Sequence, residues 1–147
     1  MYCQTYDGGE VNLSTLYEKL ILKANENINK AMIISLRNKG YSGNENLLDD
    51  FIEELVSVFV KNKKKFITKK DLMKLDYWKL FDISAPPFID KIKKEHIMHS
   101  IFYKQEEIFY FSYDQMNDYF CAKNIISKIQ SKIDIKEKIF DLLSIKN

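Results

Sequence analysis

The chain has 147 residues, 46% of them hydrophobic and 30% charged, with a formal net charge of +2. That length carries one domain with a real core, or a small domain with a helical extension, and that balance is the balance of a globular chain. A charge so near neutrality gives no electrostatic argument for nucleic acid, and no apolar run approaches the roughly 20 residues that cross a bilayer.

The start, "MYCQTYDGGE", has neither a basic head nor an apolar stretch, so no secretory signal is expected. Cys3 and Cys121 are the 2 cysteines, too few and too far apart for a disulfide framework, which predicts a reduced, cytoplasmic protein. All but one of the 23 basic residues are lysines, the exception being Arg37. Guanidinium forks read bases and phosphates best, so this bias disfavours sequence-specific DNA reading.

In chain order, Leu13 to Leu36 predicts a first long helix. Leu13, Leu16, Tyr17, Leu20, Ala24, Ile28 and Ala31 recur at spacings of three and four, with Thr15 and Glu18 as a capping box. "NKGYSGNEN" is a loop. Leu48, Phe51, Ile52, Leu55 and Phe59 predict a second amphipathic helix, which runs into the lysine cluster Lys61 to Lys70. Such a cluster reads first as a solvated helix end, where cations suit the carbonyl-rich terminus. Within it, Phe66 and Ile67 predict a very short strand, and Thr68 caps a short helix through Leu75 with Asp71 at its third position.

"DYWKLFDISAPP" reads as a break, and Pro86-Pro87 suits the start of a third short helix carrying Phe88, Ile89 and Ile92. Two β-prone runs follow, Ile97 to Tyr103 and Ile108 to Tyr113. They flank Lys104 to Glu107, a four-residue connection expected to use a type I turn. Phe109 and Phe111 alternate with Tyr110 and Ser112, so one strand face is the more apolar. Ser112 and Gln115 form an S-x-x-Q capping box that would switch strand to helix at once. Met116, Tyr119, Ala122, Ile126, Ile129 and Ile133 then repeat at three and four and are expected to face one partner inward. Ile135, Ile139, Leu142 and Leu143 predict one more amphipathic helix ending at Asn147.

This order of helix, short strand, helix, helix, strand, tight loop, strand is the winged-helix order. The expected fold is mainly α with a small two- to three-stranded antiparallel sheet (α+β). An N-terminal helical segment (1–45) precedes a winged-helix-like domain with its closing helix (46–133), and a C-terminal amphipathic helix (134–147) follows.

The series Phe111, Tyr113, Met116, Asp118, Tyr119, Phe120, Cys121 and Ala122 resembles the F-x-H-x-x-F-x-E-[FY]-[FL]-A-A signature. That signature closes the winged-helix domain of NACHT-type STAND nucleoside triphosphatases. Phe111, Tyr119, Phe120 and Ala122 match it outright, with Asp118, Met116 and Cys121 as mild replacements. "CQTYDGGEVNLSTLYEKLI" and "LLDDFIEELVSVFV" are similar in layout to the segments before that domain, so the resemblance spans about residues 1–130. It implies a non-catalytic regulatory module that packs against an ATPase core and relays a nucleotide-dependent change.

The chain departs from the family in two places. Its four glycines, Gly8, Gly9, Gly40 and Gly43, allow no P-loop, so neither nucleotide hydrolysis nor a cofactor of its own is expected. The family's histidine, which touches the β-phosphate of bound ADP, is replaced by Tyr113. A phenol donates one hydrogen bond but carries no positive charge near neutral pH, which leaves Tyr113 a weak nucleotide-contact candidate beside its simpler role as a packed corner residue.

Other chemistries read more plainly as packing or surface. His96 and His99 are three apart but lack a third ligand or an HExxH frame, so no metal is expected. Lone cysteines at apolar helical positions are packing residues. Asp49, Asp50, Glu53 and Glu54 lie on the polar face of the second helix. The serious alternative is nucleic-acid binding by the winged helix, through Lys91, Lys93 and Lys94 on its third helix and the Lys61–Lys70 cluster. Against it stand Asp90 and Glu95 on that helix and Glu106 and Glu107 in the wing, which would meet phosphates with like charge. The expected partners are a protein or a separate ATPase core, with self-association through the C-terminal helix and no membrane.

Overall fold

The structure, a computed structural model, describes residues 12–43 and 45–145. The opening stretch with Cys3, Gly8 and Gly9, which includes the first part of the likeness drawn on "CQTYDGGEVNLSTLYEKLI", and the end at Asn147 lie outside the described residues.

The chain is mainly α with a small antiparallel three-stranded sheet, as expected. Helix α1 (Leu13–Leu36) starts at Asn12, whose side chain accepts from the Ser14 N–H at 2.9 Å. The expected capping box at Thr15 and Glu18 therefore does not open the helix; Thr15 lies inside the first turn, and the intrahelical ladder has already begun with the Leu16 N–H on the Asn12 carbonyl. Its buried stripe is Tyr17, Ile21, Ala24, Ile28, Met32 and Leu36, rotated from the expected one. Leu13 and Ala31 are exposed, and Leu16 and Leu20 half-buried.

A 3₁₀ turn (Arg37–Lys39) leads to Gly40, whose φ of 85° places it in the left-handed region. The loop beyond it is held by two buried asparagines of α1. Asn25 donates to the Glu45 carbonyl at 3.0 Å and accepts from the Leu48 N–H at 2.9 Å; Asn29 donates to the carbonyls of Gly43 and Glu45. Helix α2 (Leu47–Asn62) is thus capped by a side chain from another helix, since Asn46 makes no cap bond of its own. Its expected residues Leu48, Phe51, Ile52, Leu55 and Phe59 are all buried.

Strand β1 (Ile67–Thr68) and the single-turn helix α3 (Lys69–Leu72) follow, with Thr68 Oγ1 accepting from the Asp71 N–H at 3.2 Å as expected. The stretch read as a break contains another helical turn, α4 (Tyr77–Leu80). Tyr77 and Trp78 drive it: with Phe51 and Phe88 they form a cluster of rings 5.2–5.6 Å apart. The two polar tips are satisfied within the core. Tyr77 Oη donates to the Leu47 carbonyl at 2.7 Å, and Trp78 Nε1 to the Leu72 carbonyl at 2.8 Å. Burial pushes the Tyr77 phenol far above its ordinary value. Helix α5 (Ala85–Lys94) then begins at its two prolines and buries Phe88, Ile89 and Ile92.

Strands β2 (Met98–Tyr103) and β3 (Glu106–Phe111) pair from Tyr103↔Glu106 to Met98↔Phe111, and β1 joins the other edge of β3, giving the order β1-β3-β2. The hairpin loop is two residues rather than the expected four. Lys104 and Gln105 both have positive φ, 50° and 66°, so the turn is the mirror-image type that follows strand twist rather than type I. The last rung is Phe111, not Tyr113. Helix α6 (Asp114–Ile145) then runs unbroken through the region read as two helices. Among the described residues, no helix is long and apolar enough to cross a membrane.

Candidate interaction surface

Chain direction changes at Ser112, and the serine acts there as a stitch rather than as a helix cap. Its N–H donates to the Ile97 carbonyl at 3.0 Å and its hydroxyl to the His96 carbonyl at 2.6 Å. The expected capping box is absent because that hydroxyl is committed across the corner where α5 turns into β2. His96 itself ends α5 with a φ of 59°, its N–H reaching Lys93 and the next N–H reaching Ile92. That is the Schellman helix ending, so His96 is a backbone element. His99 lies 6.2 Å away between ring centroids, and no group of three metal-ligating side chains occurs among the described residues.

The motif residues divide by face. Phe111 and Phe120 are buried with ring centroids 5.2 Å apart, Phe59 closes the stack at 5.7 Å, and Met116 is buried beside them. Tyr119 is half-buried against Tyr17 at 5.4 Å and donates to Glu18 at 3.3 Å; burial first, then the Glu18 charge, raises its phenol pKa. Asp118 is at the surface, 3.6 Å from Lys65. Burial, followed by the Asp118 charge, holds the half-buried Cys121 thiol above its ordinary value, the reverse of an activated nucleophile. Tyr113 is 52% exposed, so it is not the packed corner residue the junction was expected to need.

The expectation fails further along α6. The docked face consists of Met116, Asn117, Phe120 and Asn124, packed on α2 and β3, while Ala122 is exposed. Ile126 is 65%, Ile129 52% and Ile133 43% exposed, so the isoleucine stripe expected to face inward faces outward. Polar docking residues concealed this from the sequence. Asn124 donates to Ser57 at 3.3 Å, and a groove of about 310 Å³ runs beside it between α2 and α6, lined by Asp49, Glu53, Lys123 and Lys128 among others. Beyond Asn124 the described side chains of α6 are exposed, including Ile125, Ile135, Ile139 and Phe140. Among the described residues, nothing covers the stripe of Ile126, Ile129 and Ile133.

A second exposed apolar patch sits at the hairpin tip, where Ile101, Phe102 and Tyr103 project beside the turn. The lysines of the nucleic-acid alternative are largely engaged within the chain. Lys91 pairs with Glu95 at 3.4 Å, while Lys93 donates to Ser100 at 3.0 Å and lies 5.9 Å over the Phe109 ring. Lys94 is exposed. In the 61–70 cluster, Lys63 ends α2 in the left-handed region, Lys64 covers Phe66, and Lys69 pairs with Glu107 at 3.7 Å. Comparison with protein-family models, with curated proteins and with solved structures gives no match.

Proposed function

We propose that this chain is a non-catalytic contact module: a winged helix closed by α6, which carries an apolar face for protein–protein or interdomain association. The supporting observation is the exposed isoleucine stripe of Ile126, Ile129 and Ile133, on the side of α6 opposite the residues Met116, Asn117, Phe120 and Asn124 that dock its first turns. The likeness of Phe111, Tyr119 and Phe120 to the closing motif of NACHT-type STAND proteins supports the same reading. Those residues anchor α6, and the family places such a helix between an ATPase core and a sensor region. The partner is accordingly a protein, with signalling in the cytoplasm as the setting. Lys91 and Lys93, held by Glu95 and Ser100, speak against duplex binding.

A photoreactive amino acid in place of Ile129, irradiated in cells, tests the contact role. The expected result is a covalent adduct with protein that is lost when the photoreactive group is moved to Lys30, exposed on α1. Irradiation that captures no protein at position 129 overturns the reading.

A further inference from the structure

We propose that the partner seated on α6 is a second copy of this chain, with the two helices paired antiparallel; the proposal rests on the contact role argued above. Ala122, Ile126, Ile129 and Ile133 follow at spacings of four, three and four, the seam of a two-helix contact. The seam has two unlike flanks. On one lie Ile125, Lys132 and Ile139, seven residues apart; on the other lie Lys123, Gln130 and Glu137, also seven apart, and all six are exposed.

Pairing geometry decides which flank meets which. In a parallel pair each flank meets the opposite flank of its neighbour, which sets Ile125 beside Gln130 and brings Lys136, on the seam, against its own copy. In an antiparallel pair like flank meets like flank. With the twofold axis near Ser131, Ile129 packs on Ile133 of the second copy, and Ile125 packs on Ile139 of the second copy. Lys123 then faces Glu137 of the second copy, twice by symmetry, and Lys136 faces Ile126 rather than another lysine. Helix α6 is thus complementary to itself in shape and charge when reversed. From Ala122 to Ile139 the contact runs about 27 Å. The rest of each chain docks on the opposite side of α6, so the two bodies lie outside the pair.

One like-charge meeting remains, Lys132 against Lys132 of the second copy across the axis. It also distinguishes the two orientations, because a parallel pair would set Lys132 against Glu137 instead.

Sedimentation equilibrium of the full chain over a concentration series is the test. The expected result is a monomer–dimer equilibrium that Ile129→Lys weakens at least about 100-fold, with circular dichroism and the dilute unfolding temperature unchanged. Lys123→Glu and Glu137→Lys each weaken the dimer, and together they restore it. Lys132→Leu tightens the antiparallel dimer; if it weakens association instead, the antiparallel arrangement is overturned. A chain that is monomeric throughout overturns pairing with itself. If residue 129 in that monomer still photocrosslinks to a different protein, the contact role survives; if it captures none, both fall.

Discussion

Phe120→Ala set against Ile126→Ala tests which side of α6 is docked. Phe120 is 6% exposed and its ring meets Phe111 at 5.2 Å. Full burial of such a side chain contributes about 1.5–3 kcal/mol, and an edge or tilted ring pair adds about 0.5–1.5 kcal/mol. A closed cavity would raise the cost further, but the site borders the groove between α2 and α6, which water already reaches. The loss therefore falls at the low end of the usual range for aromatic truncation, about 3 kcal/mol. For a chain of this length that lowers the unfolding temperature by about 6–12 °C. Ile126→Ala removes an exposed side chain and should change stability by less than about 0.5 kcal/mol in dilute protein. Urea unfolding followed by the fluorescence of Trp78, the one tryptophan, reads both variants. Equal losses for the two, or a larger loss for Ile126→Ala, would refute the docked face described here.

Further expectations concern local structure. Lys104→Asn with Gln105→Gly, which suits a turn with two positive φ values, should raise stability by about 1–2 kcal/mol; a lower unfolding temperature would contradict the turn geometry. Lys63→Gly and His96→Gly relieve the same strain at the ends of α2 and α5 and should each stabilise by roughly 0.5–1 kcal/mol in denaturant titrations. Asn25→Ala strips a cap bond and a loop bond and leaves the Leu48 N–H buried without them, costing about 2 kcal/mol by urea unfolding; no loss would remove Asn25 as the trans cap. The Glu45 carboxylate accepts from the N–H groups of Ser42 and Gly43, which holds its pKa below the ordinary 4.5. A lowered folded value stabilises the loop above pH 4.5, and that contribution disappears as pH falls through the folded value. The Ser42 and Gly43 amide resonances should therefore shift together below that pH in the native chain and stay fixed in Glu45→Gln.

How legible each element is in the sequence depends on whether its partners are local. Helix α2 shows a single apolar face, because acidic residues fill the positions between Leu48 and Phe59, and its burial follows directly. Helix α1 carries apolar residues at two angles. The choice between them is made by Asn25 and Asn29, whose partners lie 14 to 23 residues away in the loop and at the start of α2. The same holds for α6, where Asn117 and Asn124 occupy the buried side. Burying asparagines leaves isoleucines outside, which reverses the face that periodicity alone selects. With few glycines in the chain, the left-handed positions closing α2, α4 and α5 fall on Lys63, Asp82 and His96, none of which reads as a stop. The aromatic cluster around Trp78 arises in a stretch too short to show a period. The exposed wing tip and the seam of α6 are invisible until the docked face is known, since an apolar residue in sequence reads as core.

A cysteine scan along α6, in a chain whose Cys3 and Cys121 are replaced by serine, separates the docked face of the helix from its paired face. Single cysteines at positions 116, 120, 126, 129 and 133 would be timed against a water-soluble maleimide in dilute and concentrated protein. Labelling should be slow at 116 and 120 in both conditions, and fast at 126, 129 and 133 only when dilute. Fast labelling at 120 together with protection of 129 in dilute monomer would contradict that assignment of faces.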